Sequence, residues 1–199
     1  MSEHTTTNVQ MLARVAVLGA AAFVLMLIEF PVPFIAPPFY QMDFSELAVM
    51  IGGFAMGPAA ACAIEGVKIL LNLLFQGTST MFVGEAANFL IGCSFAVPAA
   101  LIYRRNKTKN TALRGLLTGT VCMAAAGVFL NYFVLLPAYS FFYHLPIDTI
   151  ISMGAQIFPF IDTKLKFVIA CVTPFNLIKG FLISSLTVLL YKRISPLLH

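Results

Sequence analysis

Long apolar segments run through most of this chain, and they restrict it to folds that a lipid bilayer can solvate. Hydrophobic residues make up 60% of the 199 residues, and charged residues make up only 10%. The mean hydropathy is +0.93. A spanning helix needs about 20 mostly apolar residues, and a water-soluble domain cannot bury this much apolar surface. The sequence therefore predicts a single-domain, all-α integral membrane protein whose first apolar segment is retained as a helix.

Basic residues indicate how the chain crosses the membrane. Five of them cluster between residues 104 and 114, and Lys192 and Arg193 lie near the C-terminus. Loops rich in lysine and arginine remain in the cytoplasm, and Arg14 favours the same side for the N-terminus. We therefore expect both termini to be cytoplasmic, which requires an even number of spans before residue 104.

This even count requires residues 44–76 to form two helices, divided at Gly57-Pro58. Residues 141–165 are interrupted by two prolines and are too short to span, so an irregular lid or re-entrant segment is expected there. The sequence thus predicts six transmembrane helices, at about residues 9–30, 44–57, 58–76, 84–103, 114–140 and 166–191.

A few polar side chains lie inside these apolar segments. A lysine or aspartate at the centre of a spanning helix costs about 2.5–3.5 kcal/mol, so such residues usually face the bundle interior or a water-filled cavity. Several of them share a helix face, being three or four residues apart. The set comprises Glu65, Lys68, Asn72, Glu85, Asn88, Asn131, Asn176 and Lys179.

The depth of the four asparagines, counted at 1.5 Å per residue, predicts a pocket that opens outward. For Glu65 and Lys68 we expect a structural ion pair. Asn176 and Lys179 have no acid nearby in the sequence, so they need a partner from elsewhere, which could be Glu85 or a ligand. We interpret them as a binding site, with hydrogen bonding between helices as the alternative for all these amides.

The composition of this pocket favours a flat, largely uncharged ligand with hydrogen-bonding groups, because amides and aromatic residues are abundant and no arginine clamp is present. No catalytic motif is found, and the cysteines lie singly, without metal-ligand spacing. We therefore expect no enzyme activity, no cofactor and no metal site. The basic cluster is short and flanked by membrane segments, which argues against a nucleic-acid interface.

Small residues mark one face of the first helix. Ala16 and Ala20 form an A-x-x-x-A pattern, with Ala13 on the same face. Small residues at this spacing allow another helix to approach closely. On spacing alone, that helix could belong to this chain or to a partner.

Four segments together resemble one family of membrane proteins: EFPVPFIAPPFYQMDFSELAVMIGGFAMGP, VGEAANFLIG, NYFVLLPAY and PFNLIKGFLISSLTVLLYKR. The family is the riboflavin-specific substrate-binding (S) component of energy-coupling-factor (ECF) transporters. The resemblance covers about residues 11–198. It implies six helices with cytoplasmic termini in the bacterial plasma membrane, and high-affinity binding of riboflavin from outside under the first loop.

The resemblance also implies roles for individual residues. Asn176 and Lys179 resemble the pair that contacts the ribityl chain, and Asn131 resembles a contact of the isoalloxazine ring. The resemblance also implies that the turn QMDFSEL contacts the ligand, and Asp43 is the residue of this turn that it points to. Two further neighbours of the ligand are implied, namely Glu85 and Asn88.

Energy coupling in this family requires partners. An S-component docks on a transmembrane coupling subunit that carries two ATP-binding-cassette ATPases. Its A-x-x-x-A motif on the first helix forms part of that contact, and Ala16 and Ala20 match this motif. The expected partners are therefore riboflavin, these subunits and membrane lipid.

Two alternative functions remain open at this stage. The cargo could be another vitamin or a flavin nucleotide, although only Lys164 and Lys166 are placed to meet a phosphate at the outer mouth. The chain could also be an autonomous secondary transporter, which would need a buried acid that titrates, and Glu65 and Glu85 are the candidates.

Overall fold

The computed structural model describes residues 2–78, 80–142, 144 and 146–194, which form one helical bundle. We number the helices α1 to α7 and the two short strands β1 and β2. In chain order the elements are α1 (Ser2–Met26), β1 (Phe30–Pro31), β2 (Gln41–Met42), α2 (Glu46–Met56), α3 (Pro58–Phe75), α4 (Val83–Arg105), α5 (Lys109–Phe142), α6 (Ile147–Ile157) and α7 (164–194).

Five helices in the described part of the chain are long and apolar enough to cross a membrane, namely α1, α3, α4, α5 and α7. α2 is equally apolar but has only 11 residues. Eleven residues rise about 16 Å, roughly half the hydrocarbon thickness. The all-α membrane fold is therefore confirmed, with five helices of spanning length and one shorter helix.

The proline-rich segment after α1 is more ordered than a loop. α1 ends at Met26 rather than at residue 30, and Phe30–Pro31 pairs antiparallel with Gln41–Met42. Proline is tolerated in such a short edge strand because it has no ladder hydrogen bond to donate there. This pairing closes the segment into a compact loop, and residues 39–46 therefore lie at one end of the bundle.

The chain reverses between α2 and α3 at a glycine. Gly57 has φ +98°, a left-handed backbone conformation that favours glycine. Pro58 follows as the first residue of α3, where its missing N–H would have no helical partner in any case. Because of this reversal, the start of α2 and the end of α3 lie at the same end of the bundle.

Two of the long helices contain a wider, π-helical turn. In α5 this turn is Asn131–Leu135, and in α7 it is Val168–Val172. The two turns contact each other. Such turns frequently mark functional sites, because they change the direction in which the following side chains point.

The expectation of an irregular segment at 141–165 was wrong. α5 continues to Phe142, and residues 147–157 form the amphipathic helix α6. Ile150 and Gly154 lie on its buried face, and Gly154 packs against Phe167 of α7. α6 is too short to span a membrane, and it forms because one of its faces has protein to pack on.

Glycines allow the closest helix packing in the bundle. Gly115 and Gly119 of α5 lie directly against the backbone of α4, at Ala99 and Phe95. A Cβ atom at position 115 would approach the Ala99 carbonyl oxygen to 2.7 Å, which is too close. This contact holds α4 and α5 together, and both helices contribute residues to the cavity described next.

Candidate ligand-binding site

A cavity of about 300 Å³ lies at one end of the bundle. Its residues come from the end of α1 and the segment after it, the start of α2, the end of α3 and the turn after it, the start of α4, the middle and end of α5 and the first part of α7. It is therefore at the opposite end from the basic segment 104–114. Its polar lining residues are Glu29, Gln41, Asp43, Glu46, Asn72, Thr80, Glu85, Asn88, Asn131, Asn176 and Lys179.

The structure brings all six residues predicted for a ligand site to this one cavity. They come from four separate parts of the chain, and five of them are buried. Asn72, which was noted for its depth, also lines the cavity. The predicted residues that line it are Asp43, Glu85, Asn88, Asn131, Asn176 and Lys179.

Lys179 forms a buried ion pair with Asp43. The Lys179 Nζ lies 2.8 Å from the Asp43 Oδ2, and the other carboxylate oxygen accepts hydrogen bonds from the backbone N–H and the hydroxyl of Ser45. Burial alone would raise the pKa of Asp43, but Lys179, Lys68 and these hydrogen bonds together lower it to about 2. Asp43 is therefore a permanent anion at neutral pH.

The partner expected for Lys179 was Glu85 or a ligand, and the structure corrects this. Glu85 Oε2 instead accepts a hydrogen bond from the Thr80 hydroxyl at 2.6 Å. Asp43 was not considered as the partner because it is 136 residues away in the chain. Spacing within one helix reveals shared faces, but it carries no signal for a contact between a loop and a distant helix.

Lys68 is the centre of a second buried network. Its Nζ donates to Glu46 Oε1 at 2.9 Å, to Asn88 Oδ1 at 3.2 Å and to the Ser45 hydroxyl at 3.3 Å. It also forms the predicted ion pair with Glu65. The sequence analysis missed Glu46, because an acidic residue in the first turn of a helix is ordinary.

The Lys68 network determines how Asn88 is presented. A lysine ammonium group only donates hydrogen bonds, so Asn88 must turn its carbonyl oxygen towards Lys68. The amide nitrogen of Asn88 is then the atom available as a donor to the cavity. Lys68 therefore does more than form a structural ion pair with Glu65. It also positions Asn88, a side chain that lines the cavity.

Aromatic residues that contact one another form one wall of the cavity. The ring of Phe39 lies 4.7 Å from the ring of Tyr40 and 6.2 Å from that of Tyr139, and Tyr40 lies 5.8 Å from Phe175. Burial raises the pKa of Tyr40 well above its usual value, so its hydroxyl stays protonated. That hydroxyl donates to Asn131 Oδ1 at 2.5 Å.

Asn131 and Asn176 are both fixed against Gly127 of α5. The amide nitrogen of Asn131 donates to the Gly127 carbonyl at 2.8 Å, and that of Asn176 donates to the Val172 carbonyl at 2.9 Å. A Cβ atom at position 127 would lie 2.5 Å from the Asn176 amide nitrogen. A side chain at position 127 would therefore displace the Asn176 amide, whose carbonyl oxygen is available as an acceptor.

The alanine face of α1 points away from the bundle. Ala13, Ala16 and Ala20 are exposed, whereas Gly19 is buried against Val67 of α3. The exposed face is therefore not used for packing within the described part of this chain. This removes the alternative in which the alanines bind another helix of the same bundle.

Comparisons with known proteins agree with this architecture. The family described as "ECF transporter, substrate-specific component" matches residues 10–191. The riboflavin transporter RibU of Staphylococcus aureus (strain TCH60) is 38% identical over 188 residues, which cover 94% of this chain and 91% of that protein. The riboflavin transporter FmnP of Bacillus subtilis (strain 168) is 36% identical over 192 residues, which cover 95% and 94%.

A solved structure gives the same result in three dimensions. It is described as "Structure and mechanism of the S component of a bacterial ECF transporter", and it superposes with a TM-score of 0.76 at 36% sequence identity. The match covers 96% of this chain and 98% of that one. Sequence and fold therefore point to the same family.

Proposed function

This chain belongs to the family of ECF transporter substrate-specific components, and we propose that it binds riboflavin for uptake across the bacterial cell membrane. It is a transport protein and not an enzyme. Riboflavin enters the cavity from the outer face, and the chain itself supplies the binding site. ATP hydrolysis takes place on separate subunits.

The observation that carries this proposal is the two-sided character of the cavity. One wall is aromatic, with Phe39, Tyr40, Tyr139 and Phe175. The other wall holds carboxylates, amides and one ammonium group. Riboflavin has the same division, with a flat aromatic ring system at one end and a chain of hydroxyl groups at the other. A cavity of about 300 Å³ is at the lower end of the usual range for small-molecule sites.

The proposed contacts follow from this division. Asn131 lies beside Tyr40 on the aromatic wall, and we assign it to the isoalloxazine ring. Asn176 and Lys179 are assigned to the ribityl chain, with Asp43 holding the lysine in place. On the polar wall, Asn88 supplies an amide donor and Glu85 lies beside it on α4.

We propose six membrane crossings, with α2 as a short crossing and both termini in the cytoplasm. The position of the basic segment 104–114 supports this orientation, because it lies at the end of the bundle away from the cavity. Positively charged segments remain cytoplasmic. The cavity would then open to the outside, where the vitamin is captured.

For energy coupling, we propose that the exposed face of α1 docks on a transmembrane coupling subunit that carries two ATP-binding-cassette ATPases. The exposure of Ala16 and Ala20 supports this assignment. Small side chains let two helices approach until their backbones are in contact. The face lies away from the cavity, so docking and ligand binding use separate surfaces.

A titration of the purified chain with riboflavin tests the proposal directly. Aromatic side chains stacked on the ring should quench flavin fluorescence, and a preparation that retains its ligand should be yellow. Folded protein that leaves the fluorescence of micromolar riboflavin unchanged would contradict the proposal. Flavin mononucleotide in parallel tests the phosphorylated alternative, which we expect to bind more weakly because Lys179 is the one cation among the described lining residues.

A further inference from the structure

The polar wall of the cavity contains a carboxylate oxygen that nothing in the described structure satisfies. Glu46 is 2% exposed and lines the cavity. Its Oε1 accepts the hydrogen bond from Lys68, but its Oε2 is buried and has no hydrogen-bond partner among the described residues. A buried carboxylate oxygen left without a donor costs about 1–3 kcal/mol or more, so a missing partner needs to be identified.

Glu65 provides a comparison within the same network. It is also paired with Lys68, through its Oε1, and is 0% exposed, and its Oε2 likewise has no hydrogen-bond partner among the described residues. It is not among the residues that line the cavity, however. Of the two carboxylates on this lysine, Glu46 is therefore the one that a molecule in the cavity can reach.

We infer that Glu46 is a specificity-determining residue, whose Oε2 accepts a hydrogen bond from a hydroxyl of the ligand's polyol chain. An ionised carboxylate offers acceptors only, and O–H···O⁻ bonds are among the strongest in proteins. Asn88, positioned by the same lysine, places a donor next to this acceptor. A donor beside an acceptor is the pattern that adjacent hydroxyl groups satisfy. The inference rests on the proposed function.

A continuous polar wall supports this placement. Ser45 donates to Asp43 and accepts from Lys68, so it connects the Asp43–Lys179 pair to the Glu46–Lys68 pair. The polyol chain thus lies along one surface, from Lys179 at one end to Glu46 at the other. A flavin ring without a polyol chain would reach neither.

The test compares two flavins on the purified full-length chain, by quenching of flavin fluorescence. Riboflavin carries the polyol chain, whereas lumiflavin has a methyl group in its place. Glu46→Gln should weaken riboflavin binding roughly ten- to hundred-fold, the loss expected for a hydrogen bond to a charged group. It should leave lumiflavin affinity within about twofold, because the ring contacts are unchanged. Glu65→Gln, the matched control, should leave both affinities near those of the wild type.

Three results would overturn the inference. Glu46→Gln could leave riboflavin affinity unchanged, it could weaken both flavins equally, or Glu65→Gln could reproduce its effect. If Glu46→Gln does not fold, Glu46→Asp keeps the charge for Lys68 while withdrawing the carboxylate by one methylene, and the same selective loss is expected. A wild-type protein that binds neither flavin would overturn the proposed function itself, which separates the two failures.

Discussion

Replacement of Lys179 by methionine tests the most consequential contact in the cavity. From the sequence alone Lys179 has no charged neighbour on its own helix, so its removal is expected to leave the free energy of unfolding unchanged or to increase it. The ion pair with Asp43, at 2.8 Å, reverses that expectation. Lys179→Met leaves a buried carboxylate without its counter-ion.

The size of the effect follows from the surroundings of Asp43. Removal of one partner of a buried ion pair typically destabilises a protein by about 3–5 kcal/mol. Asp43 keeps two hydrogen bonds from Ser45, so we expect the lower end, about 3 kcal/mol. Riboflavin affinity should fall roughly ten- to hundred-fold, because a charge-assisted hydrogen bond is lost.

Two assays on the same preparations separate stability from binding. Thermal unfolding in detergent measures stability without ligand, and fluorescence quenching measures riboflavin affinity. The double variant Lys179→Met with Asp43→Asn removes both charges, so it should recover most of the stability and none of the affinity. A single variant as stable as the wild type would refute the ion pair, and one with unchanged affinity would refute the role of Lys179 in binding.

Three further predictions use the same preparations. The pKa of Asp43 is lowered from 3.8 to about 2, so its ionisation contributes about 2 kcal/mol to the free energy of unfolding above pH 4. This contribution is lost as the pH falls through 2. Thermal unfolding between pH 5 and pH 2 should show the loss in the wild type and not in Asp43→Asn. Gly127→Ala should displace Asn176 and weaken riboflavin binding by roughly tenfold in a folded protein, and normal affinity would contradict the packing described here. Ala16→Trp with Ala20→Trp should keep riboflavin binding but abolish cellular uptake and co-purification of the coupling subunit, whereas surviving uptake would exclude this face as the docking surface.

Local patterns predicted the parts of the cavity that lie within single helices. Asn176 and Lys179 are three residues apart, so one helix turn brings them to the same face whatever the rest of the fold does. The same reasoning placed Glu65 with Lys68, and the structure contains that pair. Gly57-Pro58 likewise separates two helices for a local reason, which is the backbone conformation of glycine.

Contacts between distant segments were beyond this reasoning. Asp43 meets Lys179 across 136 residues, and Glu46 meets Lys68 across 22 residues and a helix reversal. The π-helical turns have no simple sequence signature. The helix α6 was missed because prolines on either side of it suggested an irregular segment, whereas proline at a helix boundary is compatible with a helix between the two.

The buried charges themselves are an argument about function. Four ionisable side chains form the two ion pairs that Ser45 connects, and a buried ion pair is on average no more stable than well-packed apolar residues of similar size. Stability therefore does not explain why Asp43, Glu46, Lys68 and Lys179 are present. What the charges provide is a fixed set of donors and acceptors, since each lysine is held by a carboxylate and Lys68 in turn orients Asn88, which lines the cavity. A cavity for a chain of hydroxyl groups needs that fixed pattern, and an apolar wall of equal stability would not supply it.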